Sequence, residues 1–534
     1  MKCICLSVLF CLASLCASSQ KTFSGDSLAS DFRYLVKLLE TSHPDPYSGF
    51  GGKVFFHEQA FRLENDLRQA PGTQQTFFDK VSAFLSYLQD GHTYLNRPSA
   101  NQQEEQRYLA LAAHTIPDGI ILQTVPEEYK NLLGSRITAI NGRPMDEVLD
   151  RTAAVKACEN LYDRYAYLSW FISTEHFMKQ LFPDMTDSVS LSLITPDGQT
   201  TELTLPLLSP QEEKKVKMQR NGSWAEYTDK QLDYRFADAR KQVMIININS
   251  IMARDNFEYM QKQGLRDLYR QLEFYYRDIL KQEMPADTLQ AVRQLPSLAE
   301  TFGKMLKEMK KENTPNLIID LRDNSGGWTP IVQATLYQLF GDRFLQTDMG
   351  TEYYCLISPL YMQKQQTTLQ DYNRQNGTNY AFGDYTFDTD EADTTSIEQQ
   401  RADFIKDCMC SVPEELQKQQ GKPLYTPAHI YVVTNEGTFS AAFHYAFFLW
   451  KMGATIVGIP SGQAPNTFME QTLFHLPHTG MQGSISNTMQ IFLPGKDKRA
   501  KTFYPDLMPT YQDYKKYNFD TQTEILYLLD RITY

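Results

Sequence analysis

Apolar residues recur every three or four positions through the first hundred residues, which is the spacing of amphipathic helices. The pattern predicts helices over residues 26–40, over residues 56–67 and from Thr73 to about residue 90. Asp90-Gly91 is expected to end the third helix, because glycine readily adopts the backbone conformation that terminates helices. His92 should therefore lie on a loop immediately after a helix.

The chain from residue 105 to residue 209 has another pattern, in which apolar and polar residues alternate as they do in half-buried strands. Asn141-Gly142 and Pro196-Asp197-Gly198 are typical turn sequences between such strands. A polar stretch with helical spacing lies between the two turns. We therefore expect a small β-rich module with a helical insertion. The predicted strands cover residues 119–123, 136–140, 188–194 and 201–205.

From about residue 238, short continuous apolar runs alternate with helical segments, which is typical of a buried parallel sheet in an α/β fold. Helices are predicted over most of residues 254–313 and from Ser440 to Met452. Residues 346–425 are polar and irregular, so we expect a solvated surface excursion there. The predicted strands cover residues 243–248, 317–321, 429–433 and 454–458.

The composition and charge of the chain indicate how many domains to expect and which binding partners to exclude. The chain has 534 residues, of which 42% are hydrophobic, so it is long enough for two to four folded domains. Its formal net charge is -12, and it has no long run of Lys and Arg that could neutralise a phosphate backbone. Nucleic acid is therefore not an expected partner.

The N-terminus has the features of a secretory signal, which we assign to residues 1–19. Lys2 is followed by an apolar run and then by the small residues Ala17-Ser18-Ser19. Leu15 stands where lipoprotein signals usually carry a small residue, so we expect cleavage near Ser19 rather than lipid attachment at Cys16. No other stretch has the eighteen apolar residues of a membrane helix. The protein is expected to be periplasmic or extracellular, without a stable membrane span.

Four cysteines follow the predicted signal: Cys158, Cys355, Cys408 and Cys410. A chain of this size does not need disulfides for stability, so we expect buried thiols or at most one structural disulfide. The Cys408-Met-Cys410 spacing lacks the second pair that a zinc site would need, and no His-Glu-x-x-His motif is present. No metal or other cofactor is expected.

Candidate chemistry centres on Ser440. The segment Val433-Thr-Asn-Glu-Gly-Thr-Phe-Ser-Ala-Ala442 leads from a predicted strand through a turn into a helix. Such a junction brings a serine hydroxyl to the strand ends and beside free backbone N–H groups, which stabilise developing negative charge. The alternative is that Ser440 only caps the helix.

Two further segments could complete a site. Asp320-Leu-Arg-Asp-Asn-Ser-Gly-Gly327 predicts a strand followed by a diglycine turn, whose N–H groups can approach a ligand closely, as an oxyanion hole requires. The alternative is a tight turn without chemistry. His92, in Leu88-Gln-Asp-Gly-His-Thr93, offers an imidazole of near-neutral pKa, the usual base for a serine. A single histidine is otherwise more often structural.

In this order, the three segments resemble the tail-specific or C-terminal-processing peptidase family, with its tricorn-core and interphotoreceptor retinoid-binding relatives. The hairpin at Asn141-Gly142 and the block Val457-Gly-Ile-Pro-Ser-Gly462 belong to the same resemblance, which covers roughly residues 25–510. It implies a polypeptide substrate and an α/β, ClpP/crotonase-like protease core. It also implies an N-terminal helical bundle and a PDZ-like β module, which in the family adds substrate C-termini as a strand. Three domains are expected after the signal. Residues 20–104 form the helical domain that carries His92, and residues 105–209 form the PDZ-like module with its helical insertion. Residues 230–534 form the core, with a helical insert at 254–313.

The resemblance also implies the site. Ser440 would be the nucleophile, and Gly326 or Gly327, together with the Ala441 N–H, would form the oxyanion hole. One branch of the family takes its base from a Lys shortly after the Val-Gly strand, but the corresponding stretch here, residues 461–464, has no lysine. Lys451 is about 16 Å along the helix from Ser440 and is too distant. The other branch uses the His of the Gly-His-Thr block, which is His92.

This chain differs from tricorn-like relatives at two positions, so the residue that orients His92 is not determined by the resemblance. Tricorn-like relatives carry a Ser directly before the His, where this chain has Gly91, and an acidic residue near the C-terminal end. Asp90 and Asp506 are the candidates for the orienting carboxylate, and a hydroxyl or a backbone carbonyl is the alternative.

The resulting hypothesis is an exported serine endopeptidase that acts through an acyl-enzyme, with His92 taking the Ser440 proton. The alternative is a non-catalytic peptide- or lipid-binding envelope protein on the same fold, in which Ser440 only caps a helix. An α/β-hydrolase esterase is disfavoured, because the segment around Ser440 lacks the Gly-x-Ser-x-Gly motif.

Overall fold

The computed structural model describes residues 21–98, 106–222, 231–389 and 394–532. The predicted secretory signal, residues 1–19, lies outside these ranges. Within them, no helix is both long enough and apolar enough to cross a bilayer.

Three helices form the N-terminal part, as the apolar spacing predicts: Gly25–Ser42, Lys53–Gln69 and Gln74–Leu85. The last of them begins with a capping box, in which Thr73 and Thr76 exchange side-chain and backbone hydrogen bonds. Their apolar faces meet in a cluster that includes Phe32 and Phe77. A single 3-10 turn, Ser86–Leu88, follows the third helix and leads to Asp90 and His92.

A β-rich module with a helical insertion occupies residues 106–222, and its predicted strands are confirmed. Asn141 and Gly142 both have positive φ, 47° and 73°, as a tight hairpin turn requires. The longer strands are Ala112–Ile116, Gly119–Pro126, Arg136–Ile140, Ser188–Ile194 and Thr200–Leu208; the short ones are Tyr108–Leu109, Arg143–Pro144 and Met218–Arg220. The helices are Met145–Val155, Leu161–Phe171, Glu175–Leu181 and Pro210–Glu213, with a 3-10 segment at Glu127–Leu132.

The core sheet has five strands in the order Leu232–Phe236, Val243–Ile248, Asn316–Asp320, His429–Thr434 and Thr455–Gly458. All neighbouring pairs are parallel except the first. Asp320 pairs with Val433, so the diglycine turn and the turn before Ser440 leave the sheet at the same edge. Parallel strands place their carboxyl ends together, and this edge is where α/β sheets hold their sites.

A second, antiparallel sheet contains a long hairpin that the sequence patterns do not predict, Thr467–His475 and Gln482–Ile491. Its other strands are Tyr94–Leu95, Glu352–Leu356 and Tyr385–Thr389. The expectation of an irregular excursion over residues 346–425 is therefore wrong, because strands and helices of this region pack beside the hairpin. The hairpin has no apolar alternation, since Ser484, Ser486 and Gln490 are buried although polar.

The remaining helices cover the two sheets. Residues 254–313 are mostly helical, as predicted. These helices are Arg254–Lys262, Leu268–Phe274, Thr288–Gln294 and Leu298–Glu312, with a π turn at Tyr275–Ile279. The others are Gln333–Phe340, preceded by the 3-10 turn Thr329–Val332, then Asp342–Leu345, Pro359–Lys364, Leu369–Asn376, Ile397–Asp407, Pro413–Gln419, Ala441–Lys451, Tyr511–Lys516 and Thr523–Leu529.

Candidate active site

Ser440 occupies a strained turn at the start of the helix Ala441–Lys451. Its backbone has φ 52° and ψ -126°, a conformation that costs a non-glycine residue about 1–3 kcal/mol and is found mainly at functional positions. The Ser440 side chain makes no capping hydrogen bond to the helix. Its backbone N–H donates instead to Oε1 of Gln463. The hydroxyl is thus not used for the capping role that the sequence left open.

The diglycine turn lies against Ser440. A Cβ added at Gly326 would come within 2.7 Å of the Ser440 Cβ and 2.8 Å of the Ala441 nitrogen, so only glycine fits. The Gly326 N–H already donates to Oδ1 of Asn324 at 2.9 Å. In the described part of the chain, the N–H groups of Gly327 and Ala441 have no assigned acceptor. Two backbone donors are therefore available beside the serine.

The segment that follows the strand Val243–Ile248 holds this turn in place. Ile251 N–H donates to the Gly326 carbonyl at 2.9 Å, and Trp328 N–H donates to the Ile251 carbonyl at 2.8 Å. These bonds flank Gly327 on both sides, and its φ of 144° lies in the region that favours glycine.

His92 reaches the same place from the N-terminal part. Its ring packs against the ring of Phe439, the residue before Ser440, with centroids 5.1 Å apart. The His92 side chain is buried, and neither ring nitrogen makes a hydrogen bond of normal geometry among the described residues. The Phe468 backbone raises the pKa of the imidazole, against the larger lowering by burial. The structure thus brings His92 and the Ser440 turn together across some 350 positions of the sequence.

Two buried carboxylates face the Nδ1 atom of His92. Asp90 Oδ1 lies 4.0 Å from it and Glu159 Oε1 lies 3.9 Å from it. Asp90 is held in place, because Oδ1 accepts the His92 backbone N–H at 2.8 Å and Oδ2 accepts from Nε2 of His43 at 3.2 Å. Glu159 accepts the N–H groups of Gly91 and Ala464.

The two carboxylates differ in charge state. Burial alone would raise the pKa of Asp90, but the hydrogen bond and charge of His43, with smaller effects of His92 and Thr93, lower it well below its usual value. Burial and then the neighbouring Asp90 raise the pKa of Glu159 well above its usual value. Asp90 is therefore the ionised member of the pair near neutral pH.

A third carboxylate, Glu470, acts on the same imidazole from the unpredicted hairpin. Glu470 has a positive φ of 63° and lies within the strand Thr467–His475, whose register continues unshifted from Met469 to Gln471. Lys364 Nζ lies 2.8 Å from its carboxylate. Partial burial would raise the pKa of Glu470, but Lys364, with smaller contributions from His444 and His92, lowers it.

These surroundings set the protonation of His92. Burial lowers the pKa of His92 below 6.5, and the charges of Asp90 and Glu470 offset only part of that shift. The imidazole is consequently neutral near pH 7, which is the state that a general base requires.

The other candidate carboxylate, Asp506, lies elsewhere in the core. Its Oδ2 accepts the N–H of Ile456 at 2.9 Å, at the start of the last core strand. Among the described residues, Asp506 has no contact with His92.

Asp90, His92 and Glu159 present ligand atoms within 4.8 Å of one another, and in the described chain they are the one group with the spacing of a metal site. Backbone N–H groups and His43 already donate to the carboxylate oxygens. These hydrogen bonds explain the cluster as the surroundings of the His92 imidazole, without a metal ion.

Sequence reasoning missed three residues of this site. Gln463 lies in the stretch considered only for its lack of lysine. Glu159 is 67 positions from His92, and Glu470 is in a hairpin without an apolar pattern. Only Gln463 could have been found from the sequence. The resemblance aligns its stretch, residues 461–464, with the place where one branch of the family has the lysine that contacts the nucleophile.

Comparisons with known proteins bear on the family and the fold. Residues 289–490 match peptidase family S41, whereas no curated protein matches the chain. Mature CPAF complexed with lactacystin has a similar structure, with a TM-score of 0.56 at 15% identity, over 95% of this chain and 99% of that one. The photosystem II D1 C-terminal processing protease gives a TM-score of 0.39 at 14% identity, over 91% and 94% of the two chains.

The fold and the family match define a serine-type peptidase. The match of residues 289–490 to peptidase family S41 confirms the resemblance to the tail-specific peptidases. The mixed α/β class is confirmed as well.

Proposed function

We propose that the protein is an exported serine endopeptidase in which Ser440 is the nucleophile and His92 the general base. The observation that carries the proposal is the state of Ser440: a strained backbone at a helix start, a hydroxyl without a capping role, and two donors beside it. A residue that only capped the helix would not need this conformation.

The oxyanion hole is formed by the N–H groups of Gly327 and Ala441. Gly326 contributes by lacking a side chain, since its own N–H donates to Asn324 and its Cβ position is filled by Ser440. Gln463 fixes the Ser440 backbone by accepting its N–H. The Ser440 N–H is therefore not one of the two donors.

His92 accepts the Ser440 proton, and Asp90 is the carboxylate that orients and stabilises the resulting imidazolium. Asp90 is ionised, buried and fixed by His43. Its 4.0 Å separation from Nδ1 is long for a hydrogen bond, but such contacts are often loose without substrate. Asp506, which binds the Ile456 backbone, has a structural role in this proposal.

The reaction is acyl transfer. The Ser440 oxygen attacks the peptide carbonyl, His92 passes the proton to the leaving amine, and the Gly327 and Ala441 N–H groups bind the oxyanion. Water then attacks the acyl-enzyme, with His92 again as the base.

The architecture follows the same family. We infer that residues 230–534 form a ClpP/crotonase-like core, residues 105–209 a PDZ-like module and residues 20–104 the helical domain that supplies His92. The substrate is a polypeptide, as the peptidase family implies. Export to the periplasm or the extracellular space rests on the signal-like residues 1–19.

A fluorophosphonate probe tests the nucleophile. The wild-type protein is expected to become covalently labelled, and the Ser440→Ala variant is expected to lose both labelling and peptide hydrolysis. Ser396→Ala is the matched control, because Ser396 does cap a helix, accepting from the Gln399 N–H. This control should label like the wild type.

Absence of labelling in the folded wild type would reject the catalytic proposal and favour the peptide- or lipid-binding alternative. Labelling that persists in Ser440→Ala would assign the nucleophile to another residue.

A further inference from the structure

Two cysteines that the proposed site does not use, Cys408 and Cys410, form a tight turn. The Cys410 N–H donates to the Cys408 carbonyl at 3.1 Å, an i to i+2 hydrogen bond that defines a γ-turn around Met409. This turn lies in the connection between the helices Ile397–Asp407 and Pro413–Gln419.

The turn brings the two thiols within reach of each other. Three fully extended residues would separate their outer Cα atoms by about 7 Å, and a γ-turn shortens that span into the roughly 4.4–6.8 Å range of disulfides. The side chains of Cys408 and Cys410 are close enough for each thiol to shift the pKa of the other. No large backbone movement is needed to join them.

The turn is also anchored on its C-terminal side. The Ser411 N–H donates to Oδ1 of the buried Asp255 at 3.0 Å, and the Leu298 N–H donates to Oδ2 at 2.7 Å. The pair is thus held in a folded conformation before any bond forms.

Accessibility separates this pair from the other two cysteines of the described chain. All four are free thiols, but Cys158 and Cys355 are buried, whereas Cys408 and Cys410 are partly exposed. Burial raises the pKa of the Cys158 and Cys355 thiols. Cys408 also lines a cavity of about 310 Å³, so a small reagent can approach it.

The two thiols of the pair differ in reactivity. The interaction between the two thiols lowers the pKa of Cys410 and raises that of Cys408, and the Val412 backbone further favours the Cys410 thiolate. Because the thiolate is the nucleophile, Cys410 is the attacking sulfur.

We propose that Cys408 and Cys410 are a reversible dithiol–disulfide pair, oxidised by a low-molecular-weight disulfide. The Cys410 thiolate attacks the external disulfide, forming a mixed disulfide and releasing one thiol. The Cys408 sulfur then loses its proton and attacks Cys410, closing the internal disulfide and releasing the second thiol. Two protein thiols are oxidised and one external disulfide is reduced.

Oxidised glutathione tests the pair on the full-length protein. After incubation, free thiols are alkylated under denaturing conditions, and the digested peptides are weighed. The peptide with both cysteines is expected to carry no alkyl group and to be lighter by two hydrogen atoms, whereas Cys158 and Cys355 become alkylated. Dithiothreitol should restore two alkylation sites.

Single variants test the order of attack. Cys408→Ser is expected to stop at a stable glutathione adduct on Cys410, and Cys410→Ser is expected to react at least about tenfold more slowly. The proposal is overturned if the wild-type pair stays fully alkylated, or if Cys158 and Cys355 oxidise as readily. None of these readouts depends on peptidase activity.

Discussion

Two buried histidines lie near Ser440, and their surroundings differ. His444, one turn along the Ser440 helix, has both nitrogens satisfied: Nδ1 pairs with the Thr329 hydroxyl at 2.9 Å and Nε2 with Gln490 Oε1 at 2.8 Å. His92 has neither nitrogen in a hydrogen bond of normal geometry among the described residues, and carboxylates face its Nδ1. The two imidazoles share burial but not partners.

The difference separates a structural histidine from one available for proton transfer. An imidazole with two fixed partners has no lone pair left for a substrate or a serine, whereas one without partners retains it. An unsatisfied buried polar group is costly and usually has a functional reason. This criterion supports the proposal that His92 is the base, although His444 is far closer to Ser440 in sequence.

Replacing each histidine by glutamine is the strongest test of the comparison. His92→Gln is expected to lower kcat for peptide hydrolysis by at least about 100-fold, because the general base is lost. His444→Gln should lower it by less than about tenfold, through a small displacement of Thr329 and the adjoining diglycine turn. Both variants are compared at pH 7, with circular dichroism as the check on folding.

Equal losses in two folded variants would contradict the distinction between the histidines. A larger loss in His444→Gln would transfer the catalytic role to that residue.

The carboxylate beside His92 gives the next largest effect. Asp90→Asn is expected to reduce kcat roughly 10- to 100-fold, because the imidazolium formed during the reaction loses its counter-charge. Asp506→Asn is the matched control, and it should keep kcat near that of the wild type while losing thermal stability, since Asp506 accepts a hydrogen bond from the Ile456 backbone. The reverse order of activities would assign orientation to Asp506.

Local sequence patterns were sufficient for the elements that meet at Ser440. The core strands are short apolar runs, which the local pattern predicts. The turns after Asp320 and Val433 contain glycine and polar residues that favour turns whatever the rest of the fold. Asp90 was also within reach of sequence reasoning, because it is two positions from His92. The position of the site at the strand ends follows from parallel pairing.

The remaining parts depend on long-range packing that no local pattern reveals. The hairpin with Glu470 buries Ser484 and Gln490, so its inner face does not look apolar. Glu159 meets His92 only because the helical insertion of the β module packs beside the N-terminal part. The charge of Glu470 acts on an imidazole that is distant in the chain, and sequence spacing carries no signature of such a pair.

The pH dependence of folding stability tests whether His444 is buried as a neutral imidazole. Burial lowers the pKa of His444 from 6.5 to about 4, so between these values the unfolded chain binds a proton that the folded chain does not. Stability should therefore fall as pH drops from 6.5 to 4, by on the order of 3 kcal/mol from this group. Urea unfolding of His444→Gln should show a weaker pH dependence over this range than the wild type. An unchanged slope would contradict burial of a neutral His444.

The smallest expected effect is a shift in the pH profile caused by Glu470. Since His92 must be neutral to act and its pKa is lowered, the acidic limb of kcat/KM should lie below the 6.5 of an unperturbed histidine. The Glu470 charge raises the His92 pKa, so Glu470→Gln should move that limb to still lower pH, by less than about one unit.

Glu415→Gln is the matched control for this shift. Glu415 pairs with Lys307 as Glu470 pairs with Lys364, and both carboxylate side chains are 51% exposed, but Glu415 is not among the groups that act on His92. Its pH profile should coincide with that of the wild type. A limb that moves to higher pH in Glu470→Gln, or that moves equally in both variants, would mean that the hairpin carboxylate does not act on the imidazole.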